Sequence, residues 1–126
     1  MTDQAGPDQQ GPWPTDLKFN RADAQLDITF NTGERFSLPF ELLRVESPSA
    51  EVQGHGPGQR QLVPGKQHVG VSKVVQTGNY AVRIEFDDGH NSGIYTWDFL
   101  YKMGLNLEQR WANYVAELDE AGFSRA

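Results

Sequence analysis

No cysteine occurs among the 126 residues, which excludes a disulfide scaffold, a thiolate zinc site, an iron–sulfur ligand set and a cysteine nucleophile. Histidine and oxygen donors stay open as metal ligands. Basic side chains are scarce: 11 Lys and Arg stand against 17 Asp and Glu, a formal charge of −6, with a pI near 4.9. Phosphate binding needs a concentrated cationic face that releases counterions, so no nucleic-acid partner is expected. The same charge disfavours anionic lipid. No apolar run is long enough to span a membrane. Residues 1–14 hold neither a basic side chain nor an apolar stretch, which fits neither a secretory signal nor a transit peptide. The cytoplasm is the expected compartment.

What is present suffices for one core. Apolar residues make up 37% of the chain and include seven Phe, four Tyr and three Trp; a domain of this size buries about two-thirds of the surface its unfolded chain exposes. Residues 1–14, rich in Asp, Gln, Gly and Pro, read as a flexible tail, residues 15–122 as one domain, and residues 123–126 as a short C-terminal tail. Leu17 and Phe19, then Leu26, Ile28 and Phe30, then Phe36, Leu38 and Phe40 alternate with polar side chains. This predicts a three-stranded meander turning at Asn31-Thr32-Gly33. Phe40 to Leu43 could form one helical turn, and residues 47–64 read as a long loop.

Val69 to Gln76 and Tyr80 to Phe86 predict a hairpin around Thr77-Gly78-Asn79, and Asp88-Gly89 a second turn leading to Ile94-Tyr95. Thr96 is the expected N-cap of a helix that Gly104 would stop. Asn106 with Gln109 three residues on suggests a capping box. In the helix that follows, Leu107, Trp111, Tyr114, Val115 and Leu118 form one apolar stripe. Strands first and helices last predict an α+β domain: a small antiparallel meander and hairpin sheet with two C-terminal helices packed on it.

Motifs for chemistry are sparse. Gly54-His55-Gly56-Pro57-Gly58 lacks a preceding strand and a closing Lys-Ser or Lys-Thr, and Pro57 has no N–H for a phosphate cradle, so it reads as loop. None of Ser47, Ser49, Ser72 and Ser92 stands in a Gly-x-Ser-x-Gly elbow. Asp87-Asp88 precedes a glycine turn, where Asp is favoured by local hydrogen bonding. Self-contained catalysis is not expected.

The stretch Asp87-Asp88-Gly89-His90-Asn91-Ser92-Gly93-Ile94-Tyr95-Thr96-Trp97 resembles the small domain at the amino terminus of gamma-butyrobetaine and trimethyllysine hydroxylases, which in bacteria also stands alone. The residue 17–40 meander, Leu43-Arg44-Val45-Glu46-Ser47-Pro48-Ser49-Ala50-Glu51-Val52 and Gly78-Asn79-Tyr80-Ala81-Val82 carry the same resemblance, which spans roughly residues 15–120. In the hydroxylases it implies a structural zinc held by three cysteines and a histidine. His90 matches that histidine, whereas Ser47, Ser49 and Val52 take the cysteine places, and none of them replaces a thiolate. Glu46, Glu51 and His55 could build an oxygen and nitrogen site for zinc or iron with His90. Without metal, His90 would donate a hydrogen bond from its turn and pin the 47–52 segment. A similar domain fused to P-loop carrier ATPases of iron–sulfur cluster assembly implies an accessory role near iron metabolism. The hydroxylases are dimeric, which leaves a homodimer open.

Three functions compete. The leading one is a non-catalytic interaction module with no cofactor, meeting an unidentified protein partner through Ser47, Ser49, Tyr95, Trp97 and Tyr101. Aromatic residues beside a helix start are more often core than surface. The others are a metal-binding domain centred on His90 and an enzyme with a pocket that only a structure would reveal.

Overall fold

The computed structural model describes residues 11–54 and 60–126. The architecture is α+β, with two three-stranded antiparallel sheets where one was expected. The first consists of β1 (Pro14–Asn20), β2 (Gln25–Phe30) and β3 (Arg35–Pro39) in that order. The second consists of β4 (Val71–Thr77), β5 (Ala81–Phe86) and β6 (Gly93–Thr96). Register follows the apolar alternation: Leu17 lies opposite Ile28 and Phe19 opposite Leu26, while Leu26 faces Leu38 and Ile28 faces Phe36. In the second sheet Val74 pairs with Ile84 and Val82 with Tyr95. Because side chains alternate across a strand, this register turns Leu26, Ile28, Phe30, Ile84, Phe86 and Tyr95 into a shared core.

Helix α1 (Phe40–Val45) follows β3 directly, and α2 (Ala50–Gln53) interrupts the segment expected to be loop. The C-terminal pair is α3 (Trp97–Leu105) and α4 (Leu107–Ala121). Thr96 caps α3 as expected, its hydroxyl accepting from the Phe99 N–H at 3.1 Å. Gly104 does not stop that helix. It lies within it because a Cβ there would run into the Phe36 ring, so its small size lets α3 approach β3. The capping box at Asn106 does not form either: the Asn106 amide donates 2.9 Å back to the Lys102 carbonyl and closes α3 instead. On α4 only Tyr114 and Leu118 of the predicted stripe are buried, and Val115 is exposed.

Both ends of the described chain are tied down further than composition suggested. The Asn31 side chain accepts from the Trp13 N–H at 2.8 Å, just ahead of β1. At the other end, the carbonyls of Ser124 and Arg125 accept from the N–H groups of Gly65 and Gln67 at 3.0 and 2.8 Å. The segment expected as a C-terminal tail therefore pairs along residues 65–67. Among the described residues no helix is long and apolar enough to cross a membrane.

Candidate functional site

The β5–β6 turn brings His90 against the α1–α2 segment. Asp88 organises that turn, accepting the His90 N–H at 3.1 Å and ion pairs from Arg44 at 2.8 Å and Lys66 at 2.7 Å. Burial alone would raise its carboxyl, but the hydrogen bonds from Lys66, the His90 N–H and Arg44 hold it down at about 2. The imidazole is thereby fixed over the 47–51 segment, with Nε2 3.0 Å from Ser47 Oγ and Nδ1 3.0 Å from Glu51 Oε1. A carboxylate only accepts, so Nδ1 carries the proton, and in the neutral ring Nε2 accepts from the Ser47 hydroxyl. Burial lowers the His90 pKa, the Arg44 charge adds to that, and Glu51 and Asp88 oppose it.

The serines complete a closed arrangement. Ser49 caps α2, its Oγ accepting from the Glu51 N–H at 3.1 Å. Ser92 Oγ donates to Glu51 Oε1 at 3.2 Å, which leaves the 2.7 Å contact between Ser49 and Ser92 to the Ser49 proton. The path Glu51 N–H, Ser49, Ser92, Glu51 carboxylate is thus a ring. A second path runs from the Ser49 N–H to Ser47 Oγ at 3.3 Å, then through His90 to the same carboxylate. Gly93 has no side chain for a steric reason: a Cβ would collide with Ser47 Oγ and lie 3.0 Å from a Tyr95 ring carbon.

These contacts decide what the predicted site residues can do. Ser47 is fully buried and Ser49 nearly so, hence neither offers a surface to a partner. Tyr95 is 0% exposed, lies on the inner face of β6 and donates to the Leu43 carbonyl at 2.6 Å. Trp97 is 7% exposed, with its indole N–H donating to the Asn79 carbonyl at 2.8 Å. Tyr101 is half-buried, edge-on to Phe30 at 5.1 Å and hydrogen bonded to Glu34. All three aromatics are packing residues, because β6 and α3 turn them onto the two sheets.

The metal donors separate in the same way. Glu51 reaches His90, but Glu46 turns away to pair with Arg110 at 2.7 Å, and His55 lies outside the described residues. Among the described residues no three His, Cys, Asp or Glu side chains gather as a metal site. The positions that match the hydroxylase cysteines do not fit zinc. Val52 has no donor atom, and the two serine hydroxyls are engaged by neighbouring protein groups.

Sequence reasoning missed an open cleft of ≈ 510 Å³ between α4 and the α1–α2 segment. Arg110, Asn113 and Glu117 line it at helical spacing on one side, and Glu46, Gln53 and Arg60 on the other. Ion pairs cross it from Arg110 to Glu46 at 2.7 Å and from Arg60 to Glu117 at 2.7 Å, and the Arg110 guanidinium sits 5.9 Å over the Phe99 ring. The i, i+3, i+7 spacing on α4 was the available signal, but it looks like any solvated helix face.

The family model for the gamma-butyrobetaine hydroxylase-like N-terminal domain matches residues 17–101. Two protein structures solved by NMR are similar to the chain. One is 46% identical over 89% of this chain and 88% of its own, with a TM-score of 0.77. The other is 45% identical over 97% and 91%, with a TM-score of 0.79. A crystal structure of a DUF971-family protein of unknown function from Acidithiobacillus ferrooxidans is 36% identical over 79% of this chain and 98% of its own, with a TM-score of 0.62. No curated protein matches the chain.

Proposed function

Because the chain belongs to the gamma-butyrobetaine hydroxylase-like N-terminal family, we propose that it is a non-catalytic interaction module of the cytoplasm, accessory to an iron–sulfur or iron-dependent oxygenase system. One observation carries the non-catalytic part of this reading. The polar groups around His90, buried at His90, Ser47 and Ser49 and exposed at Glu51 and Ser92, are spent on one another, from Glu51 through Ser49 and Ser92 and through His90 and Ser47. A catalytic set would instead aim its donors and acceptors at a space where a substrate can sit. Here they join the α1–α2 segment to the β5–β6 turn and hold a recognition surface on a rigid frame.

The accessory role rests on the family alone, and its partner is a protein. The test is cross-linking in the native cell with a photoreactive side chain placed at exposed positions, Tyr80, Ile94, Asn113 or Val115, followed by mass spectrometry. The expected result is a discrete adduct with a protein of iron–sulfur or oxygenase chemistry. Absence of a discrete adduct from every position would sink the proposal.

A further inference from the structure

We infer that residues 123–126 occupy in cis a groove that takes an arginine-bearing extended segment of the protein partner, and so act as an internal competitor for it. This deepens the interaction-module reading and rests on it. The seated segment itself displays the chemistry the groove accepts. The N–H groups of Gly65 and Gln67 donate to the carbonyls of Ser124 and Arg125 at 3.0 and 2.8 Å, the kind of backbone pairing from which an added strand gains affinity. Selectivity comes from one side chain. Arg125 donates from Nη2 to Glu41 Oε1 at 2.8 Å and from Nε to Glu41 Oε2 at 3.0 Å, with its guanidinium 5.0 Å over the Trp111 ring. A planar, two-pronged cation stacked on an aromatic face is arginine chemistry that the ammonium of lysine does not reproduce. A phosphate or carboxylate ligand would instead meet the Glu41 charge.

The occupant and the groove differ in how firmly they are held. Phe123 is 50% exposed, and Ser124 and Ala126 are exposed as well, so the segment buries no apolar side chain. Gly122, in the left-handed region, ends α4 just before it. Backbone held by few and solvent-exposed contacts opens locally at low cost. The groove floor does not move with it, because Glu41 is 5% exposed on α1 beside the fully buried Leu42 and Leu43. With residues 123–126 lifted away, the Glu41 carboxylate keeps the Tyr114 hydroxyl at 3.0 Å but loses its counter-charge, and a carboxylate so deeply set is costly to leave unpaired. The open groove therefore favours a replacement cation: Arg125 returning, or an arginine supplied by the partner.

The test is titration of the full chain, followed by NMR, with a capped pentapeptide that has the sequence of residues 122–126. A short tether gives the cis segment an effective concentration of about a millimolar, so wild type should bind the peptide only weakly. Full-length Arg125→Met weakens the competitor and is expected to bind it about tenfold more tightly, with shifts at the Gly65 and Gln67 amides and the Trp111 indole. Circular dichroism checks that this variant folds, and Arg125→Lys, which keeps the charge, serves as the milder second variant with a smaller gain. A peptide carrying Lys in place of its Arg should bind Arg125→Met about tenfold more weakly than the parent peptide. Equal affinity of wild type and both variants would overturn the competition, and equal affinity of the Arg and Lys peptides would overturn the arginine selectivity. Absence of shifts at Gly65, Gln67 and Trp111 in every protein would overturn the groove itself. The cross-linking experiment judges the module reading separately, since it does not depend on where the partner binds.

Discussion

Ser47 and His90, 43 residues apart in sequence, meet at 3.0 Å between Oγ and Nε2 and close the α1–α2 segment onto the β5–β6 turn. The contact depends on Gly93, whose missing Cβ leaves the space that Ser47 Oγ occupies. Side-chain volume at one position and a hydroxyl at another are thus two parts of one interaction.

Gly93→Ala is expected to destabilise the fold by about 1–3 kcal/mol through overpacking. Ser47→Ala is expected to cost a similar ~1–3 kcal/mol, because His90 Nε2 loses its partner while buried. In the double variant the collision with Oγ is gone and only the 3.0 Å approach to Tyr95 remains. The two effects should therefore add to less than their sum, with a coupling of ~0.5–3 kcal/mol. Urea unfolding of the four proteins measures this, and strict additivity would mean that the two residues do not share the site.

Stability should fall on mild acidification. Burial and Arg44 lower the His90 pKa in the folded state below its ordinary value of 6.5, so the unfolded chain binds the proton first. The contribution of His90 is complete above the unfolded value and is lost as pH falls through the lowered folded one. Asp88, held at about 2 against an ordinary 3.8, contributes above the upper of those values and loses its share only between them. Unfolding free energy measured from pH 7.5 downward should begin to decline near pH 6.5, and His90→Gln should flatten that first decline while leaving the more acidic one. An unchanged first slope in His90→Gln would assign it to another group.

The strands were legible because alternation is a local property: Leu26, Ile28 and Phe30 point inward whatever they pack against. Alternation says which face is buried and not which strands pair, so the division into two sheets was not legible. Gly104 was misread because glycine marks a helix end and a close approach with the same letter, and only the Phe36 ring distinguishes them. The role of His90 as a pin on the 47–52 segment could be anticipated, whereas the ring through Ser49, Ser92 and Glu51 could not. Its members come from two segments 41 to 43 residues apart and carry no pattern of their own. The cleft was hidden for the same reason, since the α1–α2 connection, α2, α3, α4 and Arg60 all contribute to it.

Metal content offers a separate check on the proposal of a hydrogen-bonded site. Protein purified without an affinity tag is expected to be metal-free by elemental analysis, and to melt at the same temperature with and without chelator. A native-state ligand would raise stability by mass action, and chelation would reverse that gain. Near-stoichiometric zinc or iron that disappears in His90→Ala would overturn the proposal and make Glu51 the first co-ligand to test, because it already contacts the ring at 3.0 Å.

Glu41 makes the C-terminal segment a structural element. Its carboxylate is 5% exposed on α1 and accepts from Arg125 Nη2 at 2.8 Å, Arg125 Nε at 3.0 Å and the Tyr114 hydroxyl at 3.0 Å. Burial pushes the Tyr114 pKa up, and the neighbouring carboxylate pushes it further. Arg125 also lies 5.0 Å over the Trp111 ring. Arg125→Met keeps much of that packing but leaves a buried carboxylate without its counter-charge. Such a loss costs about 3–5 kcal/mol when both partners are buried. Since Arg125 itself is 39% exposed, ~1–3 kcal/mol is the expected destabilisation after solvent screening. Glu41→Gln combined with Arg125→Met removes the stranded charge and should recover part of that loss. If Arg125→Met unfolds at the wild-type urea midpoint, the ion pair contributes nothing to stability; if the double variant is no better than the single, the cost lies in lost packing on Trp111 and not in the buried charge.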